Sequence, residues 1–152
     1  MEQKGYKSRS YRDLEVWKLS IDFVKKVDQI THNFPASENF GLINQIRRAA
    51  VSIPSNIAEG QGRNSTKEFR QFLAISLGSV AELESQLIIA EGIGYLTQNE
   101  LNSLLSIIDR IRKVLKGYEK EYHSAYFGKD WNLVFVFRKP KTENRKLIGS
   151  EC

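Results

Sequence analysis

The sequence predicts an all-α fold: an antiparallel up-down four-helix bundle with a basic C-terminal tail. Three observations carry this. Apolar residues recur at alternating spacings of three and four along successive segments, the period of a helix face packed at a shallow angle. Capping residues, glycines and prolines punctuate those segments. The links between them are short, which makes neighbours antiparallel.

The first helix is expected from about Leu14 to Asn33, with Asp13 as N-cap and Pro35 barring continuation. Its apolar residues include Leu14, Val16, Trp17, Leu19, Ile21, Phe23, Val24, Val27 and Ile30. They cover more than half the helix circumference, more than one core face needs. Part of this helix is therefore expected to face another subunit.

The second helix is expected from about Asn39 to Ala58, on a stripe of Ile43, Ile46, Ala50, Ile53 and Ile57. Pro54 falls inside it. Proline removes a backbone donor and costs about 3 kcal/mol in a helix interior, so the helix should bend or break there. Ser52, Ser55 and Asn56 stand ready to satisfy the freed carbonyls. Glu59–Gly60–Gln61–Gly62 reads as the helix end with a left-handed glycine. It lacks the Gly-Lys-Ser/Thr of a phosphate-binding loop and follows no strand.

The third helix is expected from Thr66 to Glu91. Ser65 is its N-cap and Glu68 completes a capping-box pattern. Its stripe is Phe69, Leu73, Ser76, Val80, Leu83, Leu87 and Ala90, and Gly92 and Gly94 end it. The fourth opens after Thr97, with Glu100 three residues on, and carries Leu101, Leu104, Ile108, Ile111, Leu115, Tyr118 and Tyr122. The organisation is thus a basic arm over 1–12, a bundle over 13–123 and a tail over 124–152. Within the tail, Trp131–Phe137 is a β-prone apolar run that reads as a short strand, a docked segment or a partner-binding strip. The polar residues after it read as disordered.

The chain has 152 residues and a formal net charge of +5. Residues 1–12 and 124–152 each carry +3, leaving 13 basic and 14 acidic residues in the body. One local excess stands out there. Positions 44–72 hold Arg47, Arg48, Arg63, Lys67 and Arg70 against Glu59 and Glu68. Two readings of it stand side by side: a phosphate-binding surface helped by the start of the third helix, or a solvated face ion-paired to Glu59 and Glu68.

Enzyme chemistry is not expected. No serine has a histidine in a catalytic pattern. Glu82 and Glu84, like Glu119 and Glu121, are two apart and on different helix faces. His32 and His123 read as solvated helix-end residues. Cys152 is the sole cysteine, so neither an internal disulfide nor a cysteine-rich metal site is expected. No cofactor or metal is called for. No apolar run approaches the roughly 20 residues of a membrane span and the start lacks a signal peptide, so the expectation is a cytoplasmic protein with no membrane partner.

The run QIRRAAVSIPSNIAEGQGR (Gln45–Arg63), followed by KEFRQFLAISLGSVAELESQL (Lys67–Leu87), resembles the bacterial 23S rRNA intervening-sequence (S23) family of four-helix bundles. RDLEVWKLS (Arg12–Ser20) and NFPASENFGL (Asn33–Leu42) fit the same pattern. Arg47, Arg48 and Arg63 match the family's arginines. Trp17, Pro54, Asn56, Glu59, Gly60, Ser79 and Glu82 match as well. The family is similar to the accessory protein of diversity-generating retroelements, a pentameric bundle that binds nucleic acid and a reverse transcriptase. The resemblance implies a homo-oligomer, a pentamer by that likeness, and suggests RNA or DNA as partner. It supplies no catalytic residues. A protein-interaction or assembly scaffold without a nucleic-acid role is the alternative.

Overall fold

The structure, a computed structural model, describes residues 10–127, with side chains through His123. Residues 1–9 of the basic arm and the Trp131–Phe137 run lie outside the described residues. The described chain is four helices, α1 (Glu15–Thr31), α2 (Leu42–Gly62), α3 (Thr66–Gly92) and α4 (Gln98–Phe127), with short 3-10 turns at Tyr11–Asp13 and Ala36–Glu38. No strand occurs among the described residues.

The helices alternate in direction, as their side-chain contacts show. Glu15 meets Arg110 while Lys26 meets Ser103, which sets α1 antiparallel to α4. Ser52 meets Ser79 while Gly60 abuts Phe72, which sets α2 antiparallel to α3. Each helix packs on two neighbours, α2 and α3 most extensively, and α1 and α3 lie on the diagonal. The predicted stripes are the core: Ile46, Ile53, Ile57, Leu73, Val80, Leu83, Leu104, Ile108 and Ile111 are all fully buried. Buried Ser20 and Thr31 turn their hydroxyls onto the carbonyls of Val16 and Val27, one turn back. This meets their hydrogen-bonding need inside an apolar interior.

Several helix ends differ from expectation. Asp13 is not the cap of α1. It belongs to the preceding 3-10 turn, whose own cap is Ser10, and Leu14 occupies the N-cap position. α2 starts at Leu42 rather than Asn39. Glu38, held in the 3-10 turn, accepts a hydrogen bond from Leu42 N at 3.1 Å and so supplies the cap. Its other oxygen accepts from the Tyr95 hydroxyl at 3.1 Å. That bond, then burial and the carboxylate's charge, raises the Tyr95 pKa above the usual phenol value. A Cβ on Gly41 would lie 2.7 Å from Glu38 Oε2 and would push aside the carboxylate that caps α2.

α2 also continues unbroken through Pro54 and past Ala58 to Gly62. Ser55 Oγ donates to Val51 O at 2.8 Å and Asn56 Nδ2 to Ser52 O at 2.7 Å, beside the donor that proline lacks. Ser52 instead joins Ser79 across the helix pair at 2.8 Å. Gly60 is not a helix stop. It is buried, and a Cβ would meet Phe72 Cβ at 2.6 Å and Phe69 Cδ2 at 3.0 Å. Close packing of α2 on α3 there outweighs the roughly 1 kcal/mol helix penalty of a glycine. The left-handed residue after α2 is Asn64 (φ 52°), not a glycine; asparagine tolerates that region through local hydrogen bonding.

Both downstream N-caps match expectation. Ser65 Oγ accepts from Glu68 N at 3.3 Å. Thr97 and Glu100 form the full reciprocal pair, Thr97 N to Glu100 Oε2 at 2.8 Å and Glu100 N to Thr97 Oγ1 at 3.2 Å. α3 ends at Gly92, and Gly94 takes the left-handed conformation at φ 85°. α4 runs four residues past His123 to Phe127. α3 is long and apolar enough, by length and composition, to cross a membrane. Its serines, Gly78, Glu82 and Glu84 interrupt any continuous apolar run. Its buried row faces α2 and α4.

Candidate nucleic-acid interface

Arg47 and Arg48 are adjacent on α2, so about 100° of helix rotation separates them. They diverge. Arg47 turns to the C-terminal end of α1, where its Nε donates to Thr31 Oγ1 at 2.9 Å and lies 3.2 Å from Asp28 Oδ1. Its NH2 reaches Asp28 O at 3.4 Å and His32 Nδ1 at 3.3 Å. A cation among the last carbonyls of a helix is favourable. Arg47 is thus spent on tying α1 to α2. Arg48 is exposed and lines a groove between α2 and α3. It has no ion-pair partner among the described residues.

Arg63, Lys67 and Arg70 gather at the corner where α2 hands over to α3. Arg63 follows α2 as its C-cap. It donates to Glu59 Oε1 at 2.7 Å and its guanidinium lies 5.5 Å from the Phe72 ring centroid. The bond to Glu59, reinforced by that carboxylate's charge, raises the Arg63 pKa further. Lys67 is exposed in the first turn of α3, without an acidic partner among the described residues. Arg70 is half-buried, and its Nε has no hydrogen-bond partner among the described residues. The amide end of α3 adds a partial positive charge beside them.

The five basic residues therefore do not make one patch. Arg48 on α2 and Arg63 at its C-cap stand fifteen residues apart, about 22 Å along the helix axis. That exceeds the roughly 8–10 Å screening length of physiological salt. Three residues share the corner, Arg48 stands apart in the groove, and Arg47 is paired internally. Of the ion pairs expected in the solvated-face reading, Arg63 forms the one with Glu59, while Lys67 and Arg70 have no acidic partner among the described residues.

The carboxylates divide as their two-residue spacing requires. Glu82 holds Gln86 Nε2 at 3.0 Å, and Glu84 turns to α4 and pairs with Arg112. No group of three potential metal-ligating residues occurs among the described residues.

Two features escaped sequence reasoning. Phe40, just ahead of α2, is 97% exposed. The exposed large apolar side chains of the helices lie on α3 (Ile75, Ile88, Ile89) and α2 (Val51), not on α1. On α1 each apolar residue of the wide arc is buried or half-buried. The α3 signal was present in the sequence, as isoleucines lying off the core stripe.

These features sit on a known framework. A family model described as 23S rRNA-intervening sequence protein matches residues 12–117. The chain belongs to this family. A solved member of the S23 ribosomal protein family, a protein of unknown function from Bacteroides thetaiotaomicron VPI-5482, is 25% identical. The likeness covers 69% of this chain and 98% of that one, with a TM-score of 0.64. No curated protein matches. The family match spans α1 to α3 and most of α4, and includes every basic residue discussed above.

Proposed function

We propose that this family member is a non-enzymatic, homo-oligomeric helical adaptor that binds the phosphate backbone of RNA or DNA. The observation that carries the reading is the α2–α3 corner. Lys67 and Arg70 stand there without acidic partners among the described residues, beside Arg63 and the amide end of a 27-residue helix. Three cations bind phosphates weakly. Repeating the corner around an oligomer converts weak contacts into avid binding. The outer face of α3 suits assembly: Ala74, Ile75, Gly78, Ala81, Ser85, Ile88 and Ile89 are exposed there. Small residues let a second helix approach closely, and the isoleucines supply apolar area. The family's description names an rRNA intervening sequence, which fits an RNA partner in the cytoplasm.

A salt-titrated binding assay tests the reading. Each phosphate contact contributes about 0.9 to the slope of log affinity against log salt on duplex DNA and about 0.7 on a single strand. Lys67→Glu and Arg70→Glu should each lower that slope and the affinity. An affinity indifferent to salt, or to both reversals, sinks it.

The α3 face also favours a second reading, a protein-assembly scaffold with no nucleic-acid role. Assembly that persists after nuclease treatment, in a protein that binds no oligonucleotide at low salt, would select that reading.

A further inference from the structure

The groove between the first turns of α2 and the middle of α3 is not part of the cationic corner. It encloses about 560 Å³, within the size range of small-ligand sites. Phe40 stands at its edge and Asn44, Gln45, Arg48 and Glu82 line it.

Phe40 is exposed but held by a pinned segment. Asn39 N and Gly41 N donate to Ala36 O at 3.2 Å and to Glu38 O at 3.0 Å. The Glu38 carboxylate fastens the same turn to Leu42 and Tyr95. The backbone that carries the ring is thus held in place, and the ring itself is free of intramolecular packing and open to a ligand. Aromatic faces of this kind stack unpaired bases, which pair-stacked duplex bases cannot exploit.

The remaining lining matches the rest of a nucleotide. The Arg48 guanidinium offers the forked donor that phosphate oxygens accept. The Asn44 and Gln45 side-chain amides have no partners among the described residues. With Glu82 they present both donors and acceptors to the edge of a base. Arg48 and Glu82 cancel in charge. That disfavours inorganic phosphate or a densely charged backbone, and suits one phosphate carried with a neutral base.

We infer that this groove holds one unstacked nucleotide of a single-stranded nucleic acid, its base on Phe40 and its phosphate on Arg48. The inference rests on the nucleic-acid reading above and deepens it, from backbone binding to a preference for single strands.

Fluorescence anisotropy on the full chain tests it. The probes are a short labelled single strand, made as RNA and as DNA, and the duplex of the same sequence. Phe40→Ala should weaken single-strand binding about ten-fold or more, with duplex affinity and light-scattering mass unchanged. Phe40→Trp should restore it. Loss on RNA alone names RNA as the ligand; equal loss on both names unpaired strands of either kind. Unchanged single-strand affinity in Phe40→Ala, with Lys67→Glu still weakening it, overturns the groove and leaves the corner standing. A changed mass in Phe40→Ala overturns it in favour of a second copy of the chain on this face. Failure of the unaltered protein to bind any strand removes both readings together.

Discussion

α1 and α3 each carry more apolar residues than a single core face needs, and the bundle disposes of the surplus differently. On α1 most of the extra residues find partners. Trp17 meets the Tyr11 ring at 5.3 Å, edge to face, and Leu14, Leu19, Val24 and Ile30 pack against the core. On α3 the extra residues remain outside, with Ile75 and Ile89 at 49% and 53% exposure. The difference comes from neighbours. The 3-10 turn at Tyr11–Asp13 packs against both α1 and α2. No comparable segment among the described residues covers the outer side of α3. A wide apolar arc thus shows that a helix has surface to bury, and the surrounding chain determines whether any is left for a partner.

The contrast breaks most sharply on the two faces of α3 itself. Leu83 is fully buried, and Leu83→Ala should cost about 2–5 kcal/mol by chemical denaturation. Ile89→Lys, on the outer face, should change folding stability by about 0.5 kcal/mol or less while lowering the mass seen by light scattering. Equal stability losses at the two positions would mean that the faces are not distinct.

The α2–α3 seam comes next. Gly60→Ala forces a methyl group against Phe72 and Phe69, and overpacking of this kind typically costs about 1–3 kcal/mol. Gly78 has open space around it, so Gly78→Ala should be neutral or stabilising, by up to about 1 kcal/mol. A thermal melt of the two variants separates packed from open glycine on neighbouring helices.

A smaller effect separates the basic residues. Arg47 and Asp28 are both more than a third exposed. With solvent screening, Arg47→Ala should cost about 1 kcal/mol or less and leave the salt slope of nucleic-acid binding intact. Lys67→Ala should do the reverse, lowering the slope by about 0.7–0.9 with stability unchanged. A slope change in Arg47→Ala would return that residue to the interface.

The smallest effect is at Tyr95. Its folded pKa is raised by Glu38, so its contribution is full below the ordinary phenol pKa and fades as pH rises through the folded value. The melting temperatures of wild type and Tyr95→Phe should differ by a constant amount at neutral pH. That difference should change only above about pH 10, to the detriment of the wild type. A change near neutrality would assign it to another group.

Much of the fold was legible because its causes are local or periodic. The stripes through Ile46–Ile57, Phe69–Ala90 and Leu101–Tyr118 follow from helix geometry, and the caps at Ser65 and Thr97 need only residues three apart. The candidate interface was legible as composition but not as a surface. Arg47 and Arg48 look alike in sequence, and only the 100° turn between them sends one to Asp28 and the other to the groove. Phe40 gives no periodic signal at all; its exposure depends on how Glu38 folds the preceding turn.

Taken alone, the sequence determined the fold class, the inward face of each predicted stripe and the family, since these rest on spacing, capping chemistry and a long continuous motif. The tertiary structure decided the rest. It carried α2 through Pro54 and Gly60, because packing on α3 exceeds the local penalties. It placed the left-handed turn on Asn64, where α2 ends. It turned the surplus of α3 outward and packed most of that of α1, half-buried, against the core. It also divided five basic residues between an internal tie, a groove and a corner. Each of these depends on which side chains meet across helices, and that information is absent from any single segment.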